Sequence, residues 1–435
     1  MNEITQKEKT VPVYGETDVL VVGGGIAGVA AAIAAARNGK KVTIIEKSVV
    51  LGGQATLGHV CIYLALCDGL GNKVFGGIAE ELFHVAIKYG YNSLAEGWEQ
   101  GIMRLENPKG RYRTHFNIPA CVMAFDELMK ELGVTVIFDA LFSEPLMEDG
   151  VCKGITMDTK QGRVAYLAKM IVDASGDADV MYRAGADCVE TDNIVSHWCY
   201  ELQFDQMKKG IENGDMLETM VLRWLGLRPD MDNSASELPR FPGTTIEGVN
   251  GYMALSREIA LEYLKGKMGP DYSMLSLPYM PQFRMTRRIK GMEMLDMTPD
   301  VHVETSVGCV AYCLANPAPV YEFPYGGILD KNLKNIAAAG RIVAAEGAGW
   351  ELMRLIPPAA FTGQVAGTAS AMAIDAGISL QEVDIKQLQQ KLQDDGVIIH
   401  IPDYMKGNEN KHQVLDPKKI ADPYIKADAL SYKAK

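Results

Sequence analysis

Gly23, Gly25 and Gly28 stand in the spacing G-x-G-x-x-G, and Glu46 follows 18 positions after the last of them. These residues can hold a dinucleotide without a covalent bond. The first glycine allows a tight turn, and the second lets a pyrophosphate approach the backbone. The third lets a helix pack close to a strand. Glu46 is placed to accept hydrogen bonds from a ribose diol. Lys47 follows it directly, and Gly52, Gly53 and Gln54 come soon after. Adjacent glycines there suit a backbone that runs beside a bound cofactor; the alternative is a flexible loop. His59 and Tyr325 are candidate proton donors or acceptors. Arg287, Arg288 and Arg354 are candidate anchors for an anionic substrate, because a guanidinium grips a carboxylate through two parallel bonds. A structural role is the competing reading for each of these five.

The elements that must position these residues follow from the pattern around them. Asp18–Val22 is a short apolar run suited to a buried parallel strand. A helix is expected from Ile26, with Ala27 in its first turn, to Asn38; its alanines allow close packing and Gly39 stops it. Val42–Ile45 reads as the second strand, with Glu46 at its end. Further on, an amphipathic helix is expected over Ile78–Tyr89 and another from Pro119 to Leu132. Residues 92–117 are polar and irregular, carrying Arg104, Lys109, Arg111, Arg113 and His115, and read as a surface loop or a substrate lid. From Val134, turns at Asp149-Gly150 and Gln161-Gly162 divide strand-like runs into a small antiparallel meander. It returns to a buried strand ending at Asp173, followed by Ala174, Ser175, Gly176 and Asp177, small enough to lie against a cofactor.

Residues 188–321 lose this regularity, keep a helix near Tyr252–Lys267, and read as a substrate-capping region. Its methionines (Met274, Met280, Met285, Met292, Met294 and Met297) are candidates for a pliable pocket wall or for plain core. The chain then returns with a buried strand from Leu333 to Gly340 and Arg341. Pro357 and Pro358 precede a helix from Ala359 and Ala360 to Ala376, capped by Gly377. The start of that helix would point its partial positive charge at whatever lies in front of it.

The bulk composition narrows the class. With 435 residues, 48% apolar and 23% charged, the chain reads as a globular enzyme with room for two cores. A formal net charge of −12 argues against a nucleic-acid partner. The eight cysteines include no C-x-x-C, which suggests a reduced compartment. No tight Cys/His pairs occur, so no metal site is expected. No signal peptide or membrane-spanning run is evident, and a cytoplasmic protein is expected.

Taken together, VVGGGIAGVAAAIAAARNGKKVTIIEK, LGGQATLGHV, GGIAEEL, MIVDASGDADV, FRMTRRIKG, YEFPYGGIL and NIAAAGRIVAAEGAGWELMRLIPPAAFTGQVAGTASAMA resemble FAD-dependent oxidoreductases with the glutathione-reductase-type FAD fold. The likeness is nearest to bacterial proteins distantly akin to fumarate reductase and succinate dehydrogenase flavoprotein subunits. It implies FAD, with the ADP half at Gly23, Gly25, Gly28 and Glu46. Flavin or ribitol contacts are implied near Gly52, Gly53 and Gln54, and further contacts at Gly176, Asp177, Gly340 and Arg341. The pyrimidine end would meet the start of the Ala359 helix. No second glycine-rich strand–turn–helix lies between the FAD segments, so no built-in NAD(P)H domain is expected.

The expected fold is α/β. A Rossmann-like FAD domain comprises residues 14–75, 119–187 and 325–395, with a parallel sheet, helices and a small antiparallel meander. An α+β substrate-capping domain covers 76–118 and 188–324, and a tail covers 396–435. The expected function is hydride transfer between flavin N5 and a small organic substrate, carboxylate-bearing in one version, with a separate electron donor or acceptor. A homo-oligomer is compatible with the tail. Two rivals stay open: an FAD enzyme that modifies without net redox chemistry, and a non-catalytic binding protein on the same fold.

Overall fold

The computed structural model describes residues 4, 8, 10–68, 72–94, 113–227, 236–311, 319–406 and 425–426. The first motif folds as its spacing requires. Strand β1 (Val13–Val22) leads through the glycine turn into helix α1 (Ile26–Arg37), which returns to strand β2 (Val42–Glu46). Residues 26–35 of α1 are buried on every face, which small side chains permit without voids. Helix α2 (Gly77–Ile87) and helix α3 (Ile118–Glu131) follow, the latter capped by the Asn117 side chain, which accepts from the Ala120 amide at 2.9 Å. Strands β3 (Thr135–Phe138), β4 (Leu141–Glu148), β5 (Val151–Thr159) and β6 (Gly162–Asp173) complete the first half.

The central sheet has the order β3-β2-β1-β6-β5-β4. β3, β2, β1 and β6 are parallel neighbours, whereas β6, β5 and β4 form the antiparallel meander. β6 is long enough to serve both. Its first half pairs with β5, and its last residues pair in parallel with a strand from the far end of the chain.

A smaller antiparallel sheet is built from β7 (Ser196–Gln203), β8 (Val221–Gly226) and, after helix α4 (Ile246–Lys265), β9 (Tyr272–Ser276). Ile425–Lys426 adds a parallel bridge to β8. α4 starts six residues before the helix expected there, because Thr245 caps it through the Gly248 amide. Tyr252, Ile259, Ala260 and Tyr263 of α4 form a separate small core with Val195, Cys199, Leu225 and Phe283.

β10 (Ser306–Ala311) and β11 (Val320–Pro324) form an antiparallel pair. β12 (Ile336–Ala338) is the strand that joins β6, and helices α5 (Ile356–Ala376) and α6 (Ile385–Asp394) close the chain. α5 begins three residues earlier than expected. Pro357 and Pro358 lie inside its first turn, where a missing amide proton costs nothing. α5 and α1 approach so closely that a β-carbon at Gly363 would stand 2.1 Å from the Ala27 carbonyl oxygen.

The main core reaches across the expected domain bounds. It contains Ile78, Leu82 and Phe83 of α2 and Val307, Val310 and Phe323 of the β10–β11 pair, all expected in the cap, with Tyr200 and Leu222 of the smaller sheet. Val397, Ile399, Ile401 and Met405, expected in the tail, join it as well. Apolar side chains at these positions have more to gain from the large core than from a small second one. Of the irregular 92–117 stretch, residues 95–112 lie outside the described residues. Among the described residues, no helix is long and apolar enough to cross a membrane.

Candidate functional site

A cavity of about 330 Å3 opens at the carboxyl ends of β1, β2 and β6, where ligands of open α/β sheets bind. Gly23, Gly25, Ile26 and Ala27 form one wall. Gly23 takes φ +103°, and a β-carbon there would meet the Ala174 carbonyl oxygen at 2.4 Å. Gly28 lies outside the wall and works underneath it, since a β-carbon would stand 1.9 Å from the Gly23 carbonyl oxygen. Gly25 differs from both: a β-carbon would enter open space. The first bond of α1 runs from the Val29 amide to the Gly25 carbonyl at 2.9 Å, so among the described residues the amides of Ile26, Ala27 and Gly28 at the helix start have no partner.

Glu46, Lys47, Gly52, Gly53 and Gln54 form the facing wall. Glu46 is buried, and its two oxygens accept from the amides of Gly24 and Ser48, each at 2.7 Å. The carboxylate therefore ties the glycine turn to the loop after β2, and each oxygen keeps a further lone pair for a ligand. Gly52 donates its amide to the Gly24 carbonyl at 2.8 Å, which joins the two glycine loops directly. Gln54 donates to the Pro281 carbonyl at 2.6 Å, and Tyr279 donates its amide to the Leu57 carbonyl at 2.8 Å. These bonds bring the 277–282 segment over the cavity mouth.

The third wall is Ala174, Ser175, Gly176 and Asp177 together with Gly340 and Arg341. Asp173, fully buried, organises the turn by accepting from the Ser175 hydroxyl at 2.7 Å and the Met181 amide at 2.9 Å. Burial pushes its carboxyl up. Arg341 donates to the Gly176 carbonyl at 2.5 Å, the Phe283 carbonyl at 3.0 Å and Asp177 Oδ1 at 2.8 Å. Burial raises the Asp177 carboxyl, but the Arg341 guanidinium, the Thr286 hydroxyl and Lys47 together outweigh it and hold the group below the usual carboxylate range. Neighbouring Asp179 lies 3.5 Å from Arg287 Nη1, yet burial and the charges of Asp177 and Asp173 outweigh Lys47 and Arg287 and push it up to about 6.

Ile356 and Ala359, at the start of α5, close the cavity. Pro358 and Ala360 belong to the same turn without lining it. Because Pro357 and Pro358 carry no amide proton, this helix start offers its dipole and the Ile356 amide rather than a full set of donors. Thr362 secures the turn, accepting from the Gly340 amide at 2.9 Å.

The candidate catalytic residues separate. Arg354 lines the cavity and pairs with Glu351. Arg288 lies outside it, buried beside Trp350, with Nη2 3.7 Å from Glu346. Arg287 is engaged by Glu190 at 2.8 Å and stacks on Tyr182. Tyr325 donates to the Leu380 carbonyl at 2.8 Å inside the core. His59 is buried behind Tyr279, its Nδ1 3.3 Å from the Ser276 hydroxyl, and burial lowers its pKa to about 4. Among the candidate methionines, Met280 lines the cavity, while Met292 and Met294 are exposed.

Tyr279, Leu141 and Phe142 also line the site and went unnoticed in the sequence. Leu141 and Phe142 sit beside the carboxyl end of β3, a position that strand order alone could have flagged; Tyr279 carried no local signal. Tyr279 and Met280 also line a second cavity of about 300 Å3 between α4 and the 277–282 segment. His197 faces that space, neutral at ordinary pH because burial and then Arg284 lower its pKa to about 4. Its Nδ1 is buried without a hydrogen-bond partner among the described residues.

The chain is 26% identical over 174 residues to the tRNA uridine 5-carboxymethylaminomethyl modification enzyme MnmG of Lactobacillus gasseri, covering 38% of this chain. It spans about a quarter of the length of that curated relative (24%). Among solved structures it is similar to p-nitrophenol 4-monooxygenase PnpA from Pseudomonas putida DLL-E4, with 13% identity, 88% of each chain covered and a TM-score of 0.46. It is also similar to a geranylgeranyl bacteriochlorophyll reductase-like protein from Thermoplasma acidophilum, with 16% identity, 87% of this chain and 83% of the other covered, and a TM-score of 0.43. The FAD dependent oxidoreductase family model matches residues 18–208 and 245–392, which include both glycine walls, the Asp173 turn and the start of α5. The chain therefore belongs to the FAD dependent oxidoreductase family and is an FAD-dependent enzyme.

Proposed function

We propose that FAD lies in the 330 Å3 cavity and exchanges hydride with a small, largely apolar organic molecule drawn from the adjoining 300 Å3 cavity. The observation that carries this reading is the shared wall: Tyr279 and Met280 line both spaces, so a molecule in the second lies directly against the wall of the first. The residues of the first cavity suit the cofactor. The open space at Gly25 admits a pyrophosphate to the free amides of α1, and Glu46 offers lone pairs to a ribose. Bound FAD supplies two-electron chemistry at its N5 position.

The protein's own residues orient and exclude. Arg341 and Asp177 fix the Gly176 and Gly340 turns against each other, and the start of α5 presents positive potential to the inner end of the cavity. His197 Nδ1 and Ser256 Oγ, both buried without a partner among the described residues, offer the substrate hydrogen bonds in a chamber that Leu277, Pro278, Ala260 and the two methionines make largely apolar. Arg354, although paired with Glu351, is the candidate guanidinium for a carboxylate, since it lines the cavity and Arg287 and Arg288 do not. Electrons leave or arrive through a separate partner. A net charge of −12 disfavours a tRNA-modifying activity like that of the MnmG relative.

The test is anaerobic. A panel of apolar ring-sized alcohols, ketones and enones is mixed with the oxidised or dithionite-reduced protein, and the flavin spectrum is followed. The proposal expects bleaching or reoxidation by at least one class, with His197→Ala raising the substrate concentration required. Flavin that responds to dithionite and to no substrate of the panel would overturn it.

A further inference from the structure

Away from the cavity, three side chains remote in sequence converge. His302, Glu322 and His400 each offer a ligating atom, and these atoms all lie within 4.8 Å of one another. Glu322 stands on β11. His302 precedes β10, and His400 follows a segment seated along β10, where Cys309 donates its amide to the Ile398 carbonyl at 2.9 Å and Ser306 donates its hydroxyl to the Ile399 carbonyl at 2.5 Å.

The carboxylate is already fixed in place. Glu322 is 3% exposed, and its oxygens accept from the Val303 amide at 2.8 Å and the Ile401 amide at 2.9 Å. Those two amides belong to the residues immediately after the two histidines, so the buried carboxylate sets the backbone that presents both imidazoles. His400 Nδ1 stands 2.9 Å and His302 Nδ1 3.6 Å from the same oxygen, Glu322 Oε2. On its far side, His302 Nε2 lies 3.4 Å from Glu304 Oε1. A carboxylate behind an imidazole is the arrangement that orients metal-bound histidines and raises their basicity.

We propose that His302, Glu322 and His400 form a site for a divalent transition-metal ion of the zinc type. The ligands are Nδ1 of each histidine and one Glu322 oxygen, Glu304 supports His302, and water takes the remaining position. Two imidazoles with one carboxylate select zinc and its neighbours over magnesium or calcium, which prefer oxygen alone. Ligand atoms on a tetrahedral zinc stand about 3.3 Å apart. The widest present separation therefore closes by side-chain rotation, which His302 is free to make because 55% of its side chain is exposed. The nearby ammonium groups are each already paired with a carboxylate, Lys386 with Glu304 and Lys406 with Asp403. Without metal, the same residues form a clasp in which Glu322 grips two loops. Metal binding would lock the segment after His400 onto the β10–β11 pair.

The experiment is calorimetric titration of zinc chloride into tag-free, full-length, FAD-loaded protein. The expected result is one zinc per chain with micromolar or tighter affinity, undiminished by millimolar magnesium. His302→Ala, at an exposed position, and His400→Ala should each weaken binding by about 100-fold, and Glu304→Gln by about 10-fold. Flavin content should be unchanged in all three variants, which separates this site from the FAD reading. Absence of stoichiometric zinc in the native protein, or equal binding by native protein and both histidine variants, would overturn the proposal.

Discussion

Gly25→Ala separates folding from cofactor binding in one substitution. Gly25 precedes α1 with φ −67° and ψ −179°, a conformation any residue adopts, and a β-carbon there touches nothing. Alanine is a poorer helix cap than glycine by up to about 1 kcal/mol. It also restricts the unfolded chain, which returns about 0.4–1 kcal/mol. The apo protein should therefore keep its melting temperature to within a few degrees. The cavity is another matter. The new methyl occupies the space through which a phosphate would reach the free amides of Ile26 and Ala27. Each hydrogen bond to a charged group contributes about 1.5–3 kcal/mol. Losing one, or weakening two, removes about 2–4 kcal/mol and weakens FAD binding by about 30-fold to 1,000-fold. The assay is quenching of free FAD fluorescence on titration with apo protein, beside thermal melts of the same samples. Gly28→Ala is the contrast, because its β-carbon would collide with the Gly23 carbonyl and lower the melting temperature itself. A Gly25→Ala protein that binds FAD within about threefold of the native affinity would refute the pyrophosphate position. One that fails to fold would refute the open space.

Three further outcomes follow from the same structure. Glu46→Gln turns an amide NH2 toward one of the two backbone amides it now accepts from, so the apo protein should lose about 1–3 kcal/mol of stability in urea melts and retain less flavin after dialysis. His59 and His197 are held near pKa 4, so they stay neutral in the fold while the unfolded chain takes up protons below about 6.5. Stability is then full above pH 6.5 and is lost as pH falls toward 4, by at most about 3 kcal/mol per residue. His59→Asn suits the positive φ of that position and should make this acid limb shallower in urea melts; an unchanged limb would show that His59 does not titrate this way. Glu201→Gln strips the charge from a fully buried carboxylate that Arg223, Tyr263 and Tyr272 all bond, and should cost about 3–5 kcal/mol in chemical denaturation, with the loss confined to the small second core if that core unfolds separately.

Local pattern made the backbone walls of the cavity readable. Residues 18–46 form one strand–turn–helix–strand unit, and each of their roles depends on neighbours a few positions away: a glycine where a turn tightens, small residues where a helix approaches, an acid where a strand ends. The Asp173 turn and the double-proline helix start were legible for the same reason, with the helix displaced by one turn because prolines are tolerated inside the first turn as well as before it. What only the tertiary structure decided are relations between distant residues. Arg288 looks like an anchor in sequence, yet packing buries it against Trp350. Tyr279 has no pattern of its own and reaches the cavity because its amide bonds Leu57, more than two hundred positions away. His302, Glu322 and His400 meet only because the β10–β11 pair and the segment beside it are folded onto one core. The sequence alone determined what the protein carries, because backbone cradles are local. Which side chains line the cavity was decided by packing, because burial and charge pairing are properties of the assembled core.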